Sequence, residues 1–412
     1  MQLFINFGIF INTEKTNTMK IMKRLILLFI ASGFMVHTIA QTDSVDVVPL
    51  QVSFFYPFGT AGTHSINNGY IFSLNIIAGV TGAADGIEIG GIANTNRYYN
   101  HGLQLAGICN ITGTSNTGAQ IAGICNILGG STNGAQLAGI SNVSDGSLTG
   151  VQVSGILNIN TDSANGAQLA GITNVSGSIN GLQAAGISNI AGTTEGCQIA
   201  GIANISGDAN VQLAGIGNIS GSVNGIQIGG IYNVAGYVKG VQLAGIINIC
   251  DSIDGVPLAL VSIVRKNGYR RWDIWTSEAF YVNVSFKIGI RELYTILSLG
   301  YRPGNLHNNT GLGVGLGTNM PLWKRSDIDV EAHMYQISRF LWMEEDNFMY
   351  TLRINYVQHL SNRLAIFAGP AFNILGTDYF SDAYKIAPGY GIEYRGSNDW
   401  QYWLGFNAGI RF

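Results

Sequence analysis

Hydrophobic and polar positions recur with a fixed phase along the middle of this chain. Residues 102–111 read GLQLAGICNI, and residues 118–127 read GAQIAGICNI. Each copy of this phrase is followed by a short run of Gly, Ser, Thr, Asn or Asp residues. Because aliphatic and polar positions alternate inside the phrase and turn-forming residues separate the copies, the pattern predicts short β-strands joined by turns.

The copies are spaced 14–16 residues apart, as ten successive glutamines show: Gln104, Gln120, Gln136, Gln152, Gln168, Gln183, Gln198, Gln212, Gln227 and Gln242. Glu88 opens the series as a variant, and Pro257 stands where the next glutamine is due. Atypical terminal units are typical of a capped stack of repeats. The spacing predicts an all-β fold in which residues 84–264 form a short-period β-solenoid.

Within the unit some positions do not vary, and this invariance indicates what stacking requires. Residues equivalent to Gly107, Ile108 and Asn110 recur in every unit, whereas the position of Cys109 accepts residues as different as Gly217 and Tyr232. We expect the invariant residues to point inward or to form the corners, and the variable position to point outward. Like residues would then stack about 4.8 Å apart, Ile on Ile and Asn on Asn, with the amides forming a ladder.

A competing interpretation makes each unit one transmembrane strand of a large barrel. A phrase of ten residues is long enough for this, but residues 86–264 contain no Trp and no Phe. Membrane barrels carry aromatic girdles at both interfaces, and this block has few residues from which to build them. The composition favours the solenoid, and wall strands remain the alternative.

After about residue 264 a two-residue alternation replaces the repeat. All six Trp lie in this part of the chain. Leu312, Val314 and Leu316 alternate with glycines, and the stretches 280–290 and 350–356 alternate in the same way. Apolar residues alternating with polar or small ones, with aromatics near the strand ends, predict an up-and-down antiparallel β-barrel over residues 265–412.

The final residues sharpen this prediction. Phe412, Ile410, Phe406 and Leu404 occupy alternate positions. This segment resembles the C-terminal strand of Gram-negative outer-membrane barrels, which ends in Phe. The resemblance implies that the barrel-assembly machinery is a partner during biogenesis.

Two stretches before the repeats, 50–58 and 70–76, also alternate. We expect these strands, within an N-terminal region of residues 41–83, to close the barrel together with the C-terminal strands. The resulting eight to ten strands would enclose an interior filled by side chains, which argues against an open pore.

The first forty residues are interpreted as a cleavable signal peptide. Lys20, Lys23 and Arg24 precede an apolar stretch at residues 25–36, and small residues precede a cleavage point before Gln41. Residues 1–18 are interpreted as a start-site artefact. Outside the leader no apolar run approaches the eighteen residues of a transmembrane helix, so a β-barrel is the remaining way to cross a membrane.

Composition excludes some functions. Only 11% of residues are charged, and the formal net charge of −3 gives no reason to expect a nucleic-acid partner. The four cysteines, Cys109, Cys125, Cys197 and Cys250, have no zinc-ligand spacing. No hydrolase or metalloprotease motif is present, so we predict no catalytic, cofactor or metal site and no enzymatic activity.

One strand nevertheless carries a group of chemically capable residues. In SDIDVEAHMY the side chains of Asp327, Asp329, Glu331, His333 and Tyr335 share one face. Such a row suits a divalent cation or acid–base chemistry. The interpretation we favour is a polar row in the barrel interior, neutralised by Arg353 or Lys287 from other strands.

The repeat block resembles a bacterial surface-repeat family built on Gly-Leu-Gln-Leu-Ala-Gly-Ile/Leu-x-Asn units, and the match covers about residues 84–262. The resemblance implies an envelope or surface location and carries over no substrate. We therefore predict an exported protein of the outer membrane and cell surface, with a structural or adhesive role. Outer-membrane lipid and an unidentified surface ligand are its expected partners. The alternative function is a porin or transporter whose wall includes the repeats.

Overall fold

The computed structural model describes residues 45–303, 310–338, 347–377, 388, 390–394 and 399–412. The described chain is almost entirely β, with a parallel β-solenoid of about 13 turns and a closed antiparallel barrel of eight strands. Both lie in one compact unit, Val47–Phe412. The predicted fold class is confirmed, whereas the predicted signal peptide lies outside the described residues. Among the described residues no helix is long and apolar enough to cross a membrane.

The solenoid is built from twenty strands and one short 3-10 helix (Gly62–Asn67). Its strands are β1 (Val47–Phe55), β2 (Phe58–Gly59), β3 (Gly69–Thr81), β4 (Ala83–Gly90), β5 (Ala93–Asn96), β6 (Tyr99–Ala106), β7 (Cys109–Thr112), β8 (Ser115–Ala122), β9 (Cys125–Leu128), β10 (Ser131–Ala138), β11 (Ser141–Ser144), β12 (Leu148–Ser154), β13 (Leu157–Ala170), β14 (Thr173–Ala185), β15 (Ser188–Ala200), β16 (Ala203–Ala214), β17 (Gly217–Gly229), β18 (Tyr232–Ala244), β19 (Ile247–Leu258) and β20 (Val261–Val264).

Each coil pairs in parallel with the coil one repeat later, so like residues become neighbours. Gln136 pairs with Gln152, and Asn142 pairs with Asn158. A glycine stands two residues before nine of the ten repeat glutamines and lets the coil bend: Gly166 has φ +136°, and a Cβ there would lie 2.0 Å from the carbonyl oxygen of Gly150. A side chain at this position would therefore strain the backbone and clash with the coil below.

The interior of the coils is polar. The glutamine and asparagine rows are buried, whereas Ile108 and its equivalents lie at an exposed corner, Ile108 itself being 42% exposed. Of the two places expected for the invariant isoleucine, the interior and the corner, it occupies the corner, and the expected asparagine ladder is present. Ile108 lies in the bend between β6 and β7, outside both strands, whereas strand alternation turns the direct neighbours of Gln104 and Asn110 outward.

The barrel is built from the C-terminal part of the chain. Its strands are β21 (Tyr269–Ser277), β22 (Val282–Gly289), β23 (Tyr294–Tyr301), β24 (Thr310–Trp323), β25 (Ser326–Ser338), β26 (Asn347–His359), β27 (Ala365–Thr377) and β29 (Asp399–Arg411), with β28 (Ile392–Tyr394) added beside β29. Consecutive wall strands are antiparallel, and β29 closes the barrel on β21, where Arg411 pairs with Asp273.

One expectation about the barrel wall is wrong, and the alternative in which the repeats are wall strands is excluded. The N-terminal strands do not close the barrel, because β1 pairs in parallel with β3 and β3 with β4, as the first coils of the solenoid. The repeats are not wall strands either, since they pair in parallel with one another rather than antiparallel. The same two-residue alternation suits a coil strand and a barrel strand, so the local pattern does not distinguish them.

Candidate functional site

The centre of the barrel holds a compact set of buried ion pairs. The Lys287 ammonium lies 2.8 Å from Asp273 Oδ2 and 3.2 Å from Asp329 Oδ2, and it also contacts Glu331. Arg411 donates two hydrogen bonds to Asp273, from Nε at 2.8 Å and from Nη2 at 2.9 Å. Because every one of these side chains is almost fully buried, each charge depends on the others rather than on water for its stabilisation.

The row on β25 shares one face, as predicted, and Arg353 and Lys287 are the residues that neutralise it. Arg353 Nη2 lies 2.6 Å from Glu331 Oε2 and 2.7 Å from His333 Nε2. The same guanidinium lies 4.0 Å from the centre of the Trp275 ring. Among the described residues no cluster of His, Cys, Asp or Glu has a geometry that holds a metal ion. The row is thus engaged in ion pairs across the barrel interior.

Sequence reasoning missed three members of this network: Asp273, Arg411 and Tyr294. Tyr294 donates a hydrogen bond of 2.8 Å to Glu331 Oε1, and Arg411 Nη2 lies 2.6 Å from Asp329 Oδ2. All three occupy inward positions of alternating strands, which is the one signal that the sequence offers. The pairing of Asp273 with Arg411 depends on closure of β21 on β29, which the alternation does not reveal.

The rest of the barrel interior is filled by aromatic rings and glycines. Gly311, Gly313, Gly315 and Gly317 of β24 face inward. A Cβ at Gly313 would lie 2.5 Å from the Tyr335 ring, so a missing side chain on one strand makes room for a large one on the next. Phe280, Tyr335 and further residues form one buried apolar cluster inside the wall. The interior is therefore packed with side chains, as predicted for a barrel of this size.

The outer wall of the barrel is apolar. Its exposed residues include Trp272, Ile274, Val282, Val284, Leu299, Leu312, Val314, Leu316, Met334, Leu352, Ile354, Ile366, Phe372, Leu404, Phe406 and Ile410. Tyr281, Tyr301 and Trp323 are exposed near strand ends. The barrel has charged side chains inside and aliphatic side chains outside. This arrangement is the opposite of that in a water-soluble barrel and is typical of a barrel surrounded by lipid.

Two amide ladders run through the solenoid interior. In the first, the Nε2 atom of each glutamine donates to Oε1 of the glutamine one coil earlier, as from Gln136 to Gln120 at 2.8 Å. In the second, Nδ2 of each asparagine donates to Oδ1 of the asparagine one coil later, as from Asn174 to Asn189 at 2.9 Å. The two columns point in opposite directions, so their dipoles oppose each other and the stack gains no large net dipole.

The glutamine ladder ends at Glu88, which is fully buried. Its carboxyl accepts hydrogen bonds from Gln104 Nε2 at 3.0 Å and from Asn75 Nδ2 at 3.1 Å. Burial raises the pKa of Glu88, and these hydrogen bonds partly oppose that effect. At the other end Gln242 Oε1 is buried without a partner in the described structure, because the next coil presents Pro257 in place of a glutamine.

The outer surface of the solenoid has two apolar faces and one polar side. The faces carry the outward residues of the rows through Leu103 and Leu105 and through Cys109 and Ile111, and they meet at a corner row that we name the apolar ridge. The ridge consists of Ile92, Ile108, Ile124, Ile140, Ile156, Ile172, Ile187, Ile202, Ile216, Ile231, Ile246 and Leu260, which are 37–53% exposed.

The charged residues lie on the polar side of the solenoid. This side runs from the corner at Gly113 to the bend at Gly118 and through the equivalent positions of the other coils. Apart from the buried Glu88, the charged side chains from residue 85 to residue 254 are Asp85, Arg97, Asp145, Asp162, Glu195, Asp208, Lys239, Asp251 and Asp254, and all occupy this side. The solenoid is therefore amphipathic around its circumference.

Three of the four cysteines lie on the apolar faces. Cys109 and Cys125 are direct neighbours in adjacent coils, and Cys197 occupies the row of Leu103. A hydrogen bond with Cys109 lowers the pKa of Cys125 to about 7. All four thiols are free.

A scan against protein-family models gives no match, and neither the curated proteins nor the solved structures contain a match to this chain. The class of protein that the geometry defines is thus an all-β protein in which a polar-cored solenoid is joined to a closed, filled barrel with an apolar exterior.

Proposed function

We propose that this chain is an exported outer-membrane protein whose barrel crosses the membrane and anchors the solenoid as a structural or binding module without catalytic activity. The observation that carries the proposal is the inverted barrel, with ion pairs inside and aliphatic residues outside. Transferring such an exterior from water to hydrocarbon is favourable, whereas leaving it in water exposes a continuous apolar belt.

The lengths of five of the eight wall strands support this proposal. Strands β24 to β27 and β29 contain 13 or 14 residues each, and about 9–11 residues suffice to cross a bilayer when strands are tilted. The packed interior supports an anchor rather than a channel, so a porin role has no observation in its favour.

The connections of the barrel also support an orientation. Those at one end, residues 290–293, 324–325 and 360–364, are short, and we name this the short-turn end. At the other end three of the four connections are long, spanning residues 302–309, 339–346 and 378–398. Outer-membrane barrels keep short turns in the periplasm and longer loops outside. Since the solenoid joins β21 at the short-turn end, we propose that the repeats lie on the periplasmic side and that the long connections face the cell exterior.

Fractionation tests the membrane proposal directly. The mature protein should remain with outer membranes after carbonate extraction, and deletion of Phe412 should lower the amount assembled. Phe58→Ala, which removes an exposed phenylalanine from the far end of the solenoid, is the matched control and should assemble normally. A protein that is soluble in the periplasm and indifferent to the loss of Phe412 would contradict the proposal.

A further inference from the structure

We propose that the solenoid rests its two apolar faces and the ridge between them on the periplasmic phospholipid leaflet of the same membrane. This inference depends on the proposed membrane barrel and adds a second lipid contact that the barrel does not require. The ligand is a phospholipid leaflet, and the contacting surface is the solenoid from Ile92 to Leu260.

The size of the apolar surface calls for a large occupant. About 13 coils stacked about 4.8 Å apart give a surface about 60 Å long. Proteins surrounded by water rarely expose continuous apolar patches of more than a few hundred Å². Because the coil interior is already filled by amide ladders, the aliphatic rows cannot turn inward to escape water.

The chemistry of the surface fits lipid better than a protein partner. Between residues 86 and 264, all of which the structure describes, Tyr232 is the one aromatic residue on the two faces. Protein interfaces are enriched in Tyr, Trp, Phe, Met and Arg, whereas these faces carry mainly Ile, Leu, Val and Ala, with Ser, Thr, Cys and Gly in the row of Cys109. The row of Cys109 also varies from Gly217 to Tyr232, which suits a fluid layer that needs no fixed shape.

Charge around the solenoid supports the same orientation. The polar side carries seven carboxylates, at Asp85, Asp145, Asp162, Glu195, Asp208, Asp251 and Asp254, against the four cations of Arg97, Lys239, Arg265 and Lys266, of which Arg265 forms a salt bridge with Asp251. An acidic surface is repelled by anionic headgroups, so it favours an arrangement in which it faces water and the apolar ridge faces the leaflet.

The last coil of the solenoid packs against the edge of the lipid-facing barrel wall. Ile288 and Thr295 are outward wall positions next to the β22–β23 turn, yet both are buried, and Thr295 Oγ1 donates to the Ala259 carbonyl oxygen at 2.8 Å. Ile290 joins the apolar cluster of the last coils with Val264. Further along the wall, Val282 is exposed. The stack therefore begins beside the outer wall at the short-turn end, where the leaflet would meet it.

A basic rim at the same end supplies headgroup contacts. Arg271, Arg291, Lys324 and Arg325 line a cavity of about 450 Å³ together with His359. Within the described residues, none of these four cations forms a salt bridge with a carboxylate. Cations at the membrane surface are attracted to anionic phospholipids by about 1 kcal/mol each.

Lipid quenching of site-specific labels tests the inference in the full chain. In a background where the four cysteines are replaced by alanine, single labels are placed at Ile172→Cys on the ridge, Asn165→Cys on the polar side and Leu312→Cys on the barrel wall. The protein is inserted into phosphatidylethanolamine–phosphatidylglycerol vesicles with or without acyl-chain bromination. We expect strong quenching at positions 172 and 312 and little at position 165.

The three labels separate the two proposals. Quenching at 312 without quenching at 172 would overturn the leaflet contact and leave the membrane barrel intact. Absence of quenching at 312 would overturn the barrel proposal itself. A ridge label that is shielded from water but not quenched by bromolipid, together with a cross-linked dimer, would assign the ridge to a second copy and also overturn the inference.

The wild-type chain gives an independent measurement if the cysteine-free variant does not fold. Cys109, Cys125 and Cys197 already lie on the apolar faces, so labels on these native thiols should be quenched by brominated lipid. Unquenched labels on a chain that is correctly inserted would contradict the leaflet contact.

Discussion

The solenoid and the barrel both bury polar groups and expose aliphatic ones, but they satisfy the buried groups in different ways. In the solenoid a neutral amide such as Asn174 bonds to its own equivalents in the coils before and after it. In the barrel a charge such as Lys287 is matched by carboxylates of β21 and β25, which differ from it in type and lie at unequal separations along the chain. The first arrangement is periodic, and the second is unique.

This difference determines what a single substitution should do. Removal of one amide from a ladder leaves the neighbouring coils paired along their backbones and along the other ladder. Removal of one charge from a closed network leaves several opposite charges buried without compensation, which is among the costliest changes in a protein interior. The barrel should therefore be the more sensitive region, and the following four experiments test that ordering.

The largest effect is expected for Lys287→Met. The substitution leaves Asp273, Asp329 and Glu331 without their shared ammonium, and we expect a loss of about 3–5 kcal/mol in barrel stability. Thermal unfolding in detergent, followed by the heat-dependent electrophoretic shift of folded barrels, measures this loss. Lys324→Met, in an exposed turn, is the matched control. Equal stability of the two variants would remove the distinction between the regions.

An intermediate effect is expected for Asn174→Ala. It removes one rung and leaves the amides of Asn158 and Asn189 without a partner on one side, at a cost of about 1–3 kcal/mol. Asn94 lies in the variant first unit that contains Glu88, yet it is not a terminal rung, because it bonds to both Asn75 and Asn110. The terminal rung is Asn248, whose Nδ2 donates to backbone carbonyls, so Asn248→Ala should cost less.

Thr173→Ala serves as the control for this series, because Thr173 faces outward and its row already accepts alanine and glycine. Limited proteolysis of the solenoid should rank Asn174→Ala as the most sensitive, Asn248→Ala as intermediate and Thr173→Ala as the least. If Asn174→Ala and Thr173→Ala proved equally sensitive, the ladder would not contribute measurably to stability.

A smaller, pH-dependent effect is expected at Glu88. Its pKa is raised in the folded state, so the folded chain holds this proton more tightly than the unfolded chain does. Its contribution to stability is therefore fully present at low pH and is lost as pH rises through the raised value. Glu88→Gln should gain stability relative to wild type as pH increases, measured by solenoid melting at several pH values. Glu195→Gln, which makes the same change at an exposed position of the polar side, is the matched control.

The smallest effect on the barrel is expected from deletion of one complete coil, Gly134–Thr149. Gln152 would then stack on Gln120 and Asn158 on Asn126, which preserves both ladders with one rung fewer. Assembly of the barrel, followed by the same electrophoretic shift, should be unchanged. Failure of the barrel to assemble after this deletion would mean that the two regions do not fold independently.

Much of this structure could be predicted from sequence because each residue of the repeat pairs with its own equivalent in the next coil. The spacing of the glutamines gave the solenoid, the invariance of Asn110 and its equivalents gave the ladder, and alternation gave the polar row on β25. Alternation did not assign the stretches 50–58 and 70–76 to the solenoid, because coil and barrel strands share that pattern. The sequence also did not predict whether Ile108 points inward or lies at a corner. The invariance of a residue shows that the fold needs it but not where its side chain lies.

The sequence by itself determined the period of the solenoid, the parallel stacking of like on like, and the alternating strands that become the barrel. Those features depend on contacts between residues at a fixed separation along the chain. Only the tertiary structure decided that the isoleucines form an exposed ridge, that Asp273 meets Arg411, and that the last coil covers Ile288 and Thr295. These depend on which distant strands become neighbours when the sheet closes, and no local pattern encodes that choice.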